Sequence, residues 1–246
     1  MLSAVHGINQ IRLIALLREP AERMHSAFWY WPQYRVRFGV SEQGFLEYVR
    51  HVVSGFKRCL DDFATSYSGI GIDRGALRTC SFHFESLSPA NEEVFYHADQ
   101  LLRGLYAAYV PEWIAAFGRD RLLAIRAEDY WAETRATLAR VFGFLDLSPP
   151  SSAQLSAIAA QPIMPIHGSN ATFYADATVV NRFVARAWSE STHGGHTHSK
   201  VPTPMVPEAR QTLRSFYAPY NDELARLLAD DRFTWKDLVM GTGAAV

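Results

Sequence analysis

The sequence is short of lysine: three (Lys57, Lys200 and Lys236) stand against 21 arginines. It has only two cysteines, Cys59 and Cys80, and almost no net charge, −1 at neutral pH. No apolar run approaches the roughly 20 residues that a membrane-spanning helix needs. Each shortage excludes something. No bilayer span is expected in the chain. Its charge balance argues against a wholesale nucleic-acid binder. Two cysteines are too few for a disulfide scaffold and lack metal-ligand spacing. They fit either one bridge in an oxidising compartment or two buried thiols. Met1 to Gln10 lacks the charged start, apolar run and small-residue site of a signal peptide.

What is present suits a folded chain. Hydrophobic residues make up 48% and charged residues 20% of the 246 positions, which excludes intrinsic disorder. That length suits one large domain or two small ones. The arginine excess has two readings. A planar guanidinium grips phosphate and sulfate in bidentate fashion, and codon preference, which the abundant alanine also fits, gives the same composition. Asn170-Ala171-Thr172 is a glycosylation sequon, relevant only in a secretory chain.

Ile11 to Leu17 is a nearly continuous apolar run and predicts a strand buried on both faces. Pro20 suits the first turn of a helix, which should run to Tyr30 and stop before Pro32. Ser41 caps an amphipathic helix to about Phe63, with Phe45, Val49, Val52, Val53, Phe56 and Leu60 on one side. Thr65 to Ser81 reads as a Gly/Ser-rich loop. Another helix is expected from Asn91, and Pro111 starts or kinks a segment that Gly118 stops. Arg121 to Arg126 predicts a second buried strand, and Thr134 to Leu145 a helix. Ser148 to Ser152 reads as a linker and Ser189 to Pro207 as a long loop. Pro207 to Ala229 reads as a helix interrupted near Pro219. Short apolar strands alternating with helices point to an α/β fold with a parallel sheet.

The sharpest feature is Leu17-Arg18-Glu19-Pro20-Ala21-Glu22-Arg23-Met24-His25-Ser26. Arg18 stands where a strand ends and a helix begins, which is where open α/β sheets bind ligands. An arginine fork and a serine hydroxyl on that edge suit a phosphate. Arg23 and Ser26, three apart, share a helix face. The alternative for Arg18 and Arg23 is ordinary ion pairing with Glu19, Glu22 or a distant carboxylate. His193, His196 and His198 invite a metal reading, but their Gly-rich surroundings give no rigid ligand set, and no metal is expected. His25 points off the Ser26 face and suits a core or surface role. Glu128-Asp129 suits a helix-capping carboxylate pair ahead of Thr134, with a substrate or base role as the other reading. Trp29, Tyr30, Trp31 and Tyr34 suit a satellite core, or stacking on a sugar or adenine.

The pattern Leu17-Arg18-x-Pro20-x-x-Arg23-x-x-Ser26 resembles the 3′-phosphate motif of sulfotransferases that use 3′-phosphoadenosine 5′-phosphosulfate (PAPS). Gly104-Leu105-Tyr106, Trp113, Phe117, Leu122, Leu123 and Glu128-Asp129-Tyr130 are similar to a central segment of the Golgi carbohydrate sulfotransferases. Phe216-Tyr217-Ala218-Pro219-Tyr220-Asn221 and Phe233-Thr234-Trp235 resemble their C-terminal segment. Pro204-Met205-Val206-Pro207-Glu208 and Leu224-Ala225-Arg226-Leu227-Leu228 resemble the branch acting on N-acetylgalactosamine 4-sulfate. The resemblance covers about Ile11 to Lys236.

It implies a P-loop-like α/β fold, a central parallel sheet flanked by helices, in one domain over residues 1–240 with a tail at 241–246. It implies transfer of a sulfuryl group from PAPS to a sugar hydroxyl of a glycosaminoglycan-like glycan, with no nucleic-acid partner, in the Golgi. It implies that Arg18 and Ser26 hold the 3′-phosphate, with Arg23 in support, and that Cys59 and Cys80 form a bridge. Lys200 stands where many relatives place a basic strip over the nucleotide and could reach a phosphate, with a solvated loop lysine as the other reading. The family's 5′-phosphosulfate loop has no counterpart before Ile11, so the fold is expected to be N-terminally incomplete. A second reading is therefore a non-catalytic fragment that at most binds nucleotide or a protein partner.

Overall fold

A computed structural model of the chain describes residues 11–63, 72–85, 100–159 and 204–240. Two strands, β1 (Leu13–Leu17) and β2 (Leu122–Arg126), pair in parallel from Leu13 opposite Leu122 to Leu17 opposite Arg126. Helices lie between and after them, as the expected α/β arrangement requires. They are α1 (Pro20–Tyr30), α2 (Pro32–Phe38), α3 (Glu42–Phe63), α4 (Arg74–Glu85) and α5 (Tyr106–Phe117) before β2. After it come α6 (Ala127–Ala132), α7 (Thr134–Phe144), α8 (Ser152–Ala159), α9 (Pro207–Leu228) and α10 (Asp237–Met240).

Local chemistry sets several boundaries. Pro20 opens α1, and the Glu19 carboxylate accepts the Glu22 N–H at 2.6 Å, closing the first turn. Trp31 takes extended backbone angles ahead of Pro32, so α1 ends at Tyr30 as predicted. Ser41 caps α3 through its Oγ, which accepts the Gly44 N–H at 3.0 Å. Gly44 permits a close approach there: a Cβ would sit 2.2 Å from the Phe38 carbonyl oxygen. The predicted face of α3 is buried, with Leu60 partly so. It packs against α1, α2, α4 and α9, in a core that includes Phe28, Tyr48, Leu105, Leu213, Phe216 and Tyr217. Gly104 touches α9: a Cβ on it would lie 2.7 Å from the Tyr217 hydroxyl oxygen.

The structure corrects three expectations. The loop expected through Ser81 becomes helix from Arg74, capped by Asp73, whose Oδ1 accepts the Ala76 N–H at 2.9 Å. The helix lets Cys80 face Cys59 on α3, and the two form a disulfide with Cα atoms 5.9 Å apart. The linker expected from Ser148 is present, and α8 follows it from Ser152, where Ser151 and Gln154 exchange bonds in a capping box. Helix α9 runs unbroken through Pro219. An interior proline costs about 3 kcal/mol, but burial of Leu213, Phe216, Tyr217, Tyr220 and Leu224 along one face outweighs it. Lastly, β1 is not buried on both faces. Leu13, Ala15 and Leu17 pack on the core, whereas Ile14 and Leu16 are 43% and 55% exposed. Residues 91–99 of the helix expected from Asn91 and most of the loop expected from Ser189 lie outside the described residues.

Candidate functional site: the carboxyl ends of the two strands

Arg18 and Glu19 follow β1, and Ala127 and Glu128 follow β2. Parallel pairing brings these two turns side by side. The Arg18 guanidinium is half-buried and lies over the Trp131 ring, with Cζ 5.2 Å from its centroid. Its Nε is buried without a hydrogen-bond partner. Among the described residues Arg18 makes no ion pair, so the alternative of ordinary pairing with Glu19 or Glu22 is not what the structure shows.

The backbone at this point is fixed from two sides. The Arg18 carbonyl accepts a bond from the Tyr106 hydroxyl at 2.9 Å. The Glu19 N–H donates to Glu128 Oε1 at 2.8 Å. Glu128 Oε2 accepts from Trp235 Nε1 at 3.0 Å. The capping role expected for Glu128-Asp129 is therefore overturned. Asp129 instead takes Arg232 at 3.0 Å, and the cap position of α7, Glu133, makes no side-chain bond. The core excludes water around Tyr106, which pushes its hydroxyl up to about 12.

Glu19 is 2% exposed, and burial raises its carboxyl above the usual carboxylate value. Arg214, on α9, opposes that rise through its charge. One turn earlier on the same helix, Arg210 pairs with Glu22. Helix α9 thus lays two arginines along the start of α1, which pattern-reading of the sequence missed. Their only local signal was the four-residue spacing.

Arg23 turns inward. Its Nη1 donates to Gln100 Oε1 at 2.9 Å and its Nη2 to the Gln100 carbonyl. Ser26 is exposed. The motif's outer residues, Arg18 and Ser26, therefore keep access to solvent while Arg23 ties α1 to the chain at Gln100. His25 is buried, accepts from Trp29 Nε1 at 3.0 Å and packs edge-on against Phe45, the core role expected. Of the aromatic group, Tyr34 joins the core beside Tyr48 and Tyr30 is exposed. Lys200, His193, His196, His198 and Asn170 lie outside the described residues. A cavity of 410 Å³ between α4 and α5, lined by Phe82, Trp113 and Phe117 among others, shares no residue with the strand ends.

No helix among the described residues is long and apolar enough to cross a membrane. No protein-family model matches the chain. Known proteins do. The chain is 28% identical to human carbohydrate sulfotransferase 15 over 227 residues, 92% of its length. It is 27% identical to the mouse protein of that name over 235 residues, 94% of its length. It spans about a third of the length of these relatives, 31% and 32%. An α/β fold with a parallel strand pair, and similarity over more than nine tenths of the chain, relate it to the carbohydrate sulfotransferases.

Proposed function

We propose that this chain takes part in carbohydrate sulfation by anchoring the donor nucleotide PAPS, whose sulfuryl group passes to a hydroxyl of a glycosaminoglycan-like glycan. Arg18 and Ser26 hold the 3′-phosphate, Arg23 supports their geometry, and Lys200 is a further cation for the nucleotide's phosphates in the same reading. A P-loop-like single domain and a Golgi setting belong to the same reading. The Cys59–Cys80 bridge supports an oxidising compartment.

The observation that carries the proposal is Arg18: a cation at a strand's carboxyl end, with a buried nitrogen that no group among the described residues satisfies. Leaving such a donor unpaired is costly, and a phosphate oxygen satisfies it with a charge-assisted bond. PAPS supplies the sulfuryl group and a good leaving group. The chain's own residues orient the nucleotide through its 3′-phosphate.

Calorimetric titration with adenosine 3′,5′-bisphosphate tests this. Arg18→Ala is expected to cost about 2–3 kcal/mol of binding, the scale of a charged hydrogen bond. Equal affinity in variant and wild type overturns the assignment. A second reading, nucleotide binding without sulfuryl transfer, shares that expectation. Incorporation of labelled sulfate from PAPS into chondroitin separates the two.

A further inference from the structure

The Arg18 carbonyl and the Glu19 N–H are the two poles of a single peptide unit. Each is held by a side chain from a different part of the chain: the carbonyl by Tyr106 at the start of α5, the N–H by Glu128 on α6. A peptide plane gripped at both poles cannot rotate without breaking a bond. The grip is itself fixed. Glu128 uses its second oxygen on Trp235 Nε1, and Trp235 is 2% exposed and packs 6.2 Å from the Tyr106 ring. Three residues past Glu128 on α6, Trp131 lies under the Arg18 guanidinium. That short helix therefore holds both the backbone after Arg18 and the head of its side chain.

We propose that Tyr106 and Glu128 are positioning residues for the anion site: by clamping the Arg18–Glu19 peptide plane they aim the Arg18 guanidinium and set the preference for a 3′-phosphorylated nucleotide. The inference rests on the reading of Arg18 given under Proposed function. It explains why position 128 is a carboxylate. Two N–H donors converge on it, and a glutamine offers one acceptor oxygen and presents an N–H to the other donor. It also assigns the Tyr106 hydroxyl a task that a phenylalanine cannot perform.

The test compares adenosine 3′,5′-bisphosphate with adenosine 5′-monophosphate, which lacks the 3′-phosphate, on the full chain. Wild type, Glu128→Gln, Tyr106→Phe and Arg18→Ala are titrated by calorimetry, with thermal melting alongside. In both clamp variants the affinity for the bisphosphate is expected to fall about tenfold, while that for the monophosphate holds. An unchanged ratio of the two affinities overturns the proposal. So does a parallel loss for both nucleotides with a lowered Tm, the signature of a merely structural role. Should Glu128→Gln fail to fold, Tyr106→Phe, which removes only a hydroxyl, decides alone. If Arg18→Ala leaves the ratio unchanged, the reading of Arg18 itself fails. If Arg18→Ala lowers the ratio while the clamp variants keep it, only the positioning role fails.

Discussion

Strands β1 and β2 are paired residue for residue, yet they live in different surroundings. All five residues of β2 are buried, with α5 and α7 packed on it. In β1 every second residue faces outward, and Ile14 and Leu16 are exposed. The arginines at the two strand ends differ in the same sense. Arg126, closing β2, is 2% exposed, donates to the Arg232 carbonyl at 3.0 Å and pairs with Asp237 at 2.8 Å. Arg18, following β1, has no such partners among the described residues. The structure thus commits the end of β2 to holding the C-terminal segment, whereas the end of β1 is where we propose that the anion binds. An apolar run in a sequence states what a strand is made of, and only the packing decides what covers it.

That contrast can be broken in order of expected size. Ile125→Ala in β2 should cost about 3 kcal/mol, the range for emptying a packed aliphatic site. Leu16→Ala in β1 should cost less than about 1 kcal/mol, since half of that side chain already meets solvent. Urea unfolding of both variants checks this, and equal costs would mean that the outer face of β1 is covered in solution. Next, the two arginines should separate stability from binding. Arg126→Ala is expected to lower stability by about 2 kcal/mol, because it removes a buried guanidinium and its charged bond to the Arg232 carbonyl. Arg18→Ala should change it by under about 0.5 kcal/mol while abolishing the nucleotide preference. Stability losses of similar size would erase the distinction drawn between the strand ends.

The smallest effect concerns pH. Burial raises the Glu19 carboxyl, so the folded state holds that proton more tightly than the unfolded chain. Its contribution to stability is therefore greatest below the ordinary value of 4.5 and declines as pH rises toward the folded value. Glu19→Gln keeps an acceptor for the Glu22 N–H and should flatten this decline. Denaturation of both proteins at pH 4.5 and pH 7 is the check. A wild type that gains stability over that interval relative to the variant would show that Glu19 is not held against its charge.

Much of the frame was legible in the sequence because its signals are local. Pro20 and Pro32 bracket α1, Ser41 opens α3, and Gly118, at φ 90°, stops α5. The start of α4 was local too, at Asp73, but the Gly/Ser composition around it outweighed a single capping residue. Helix α9 was misread at Pro219 because proline's local cost is visible in a sequence and the burial of five side chains against other elements is not. The site divides the same way. Arg18 and Ser26 stand out as a motif. Glu128 meets Glu19 across 109 residues and Trp235 across 107, and Arg214 meets Glu19 through helix packing. No spacing rule reaches those distances, so the parts of the site that aim Arg18 appear only when the chain is folded.

The contact between Gly104 and Tyr217 bears on how such a chain can change over generations. A methyl group at position 104 would strike the phenol ring, with its hydroxyl oxygen and two ring carbons all within 2.9 Å. The Tyr217 hydroxyl, in turn, donates to the Leu101 carbonyl at 2.8 Å, so the ring cannot simply swing aside. Neither position can drift freely by itself. A larger residue at 104 becomes tolerable only in a lineage that has first acquired a smaller one at 217, so the two sites should be inherited as a pair.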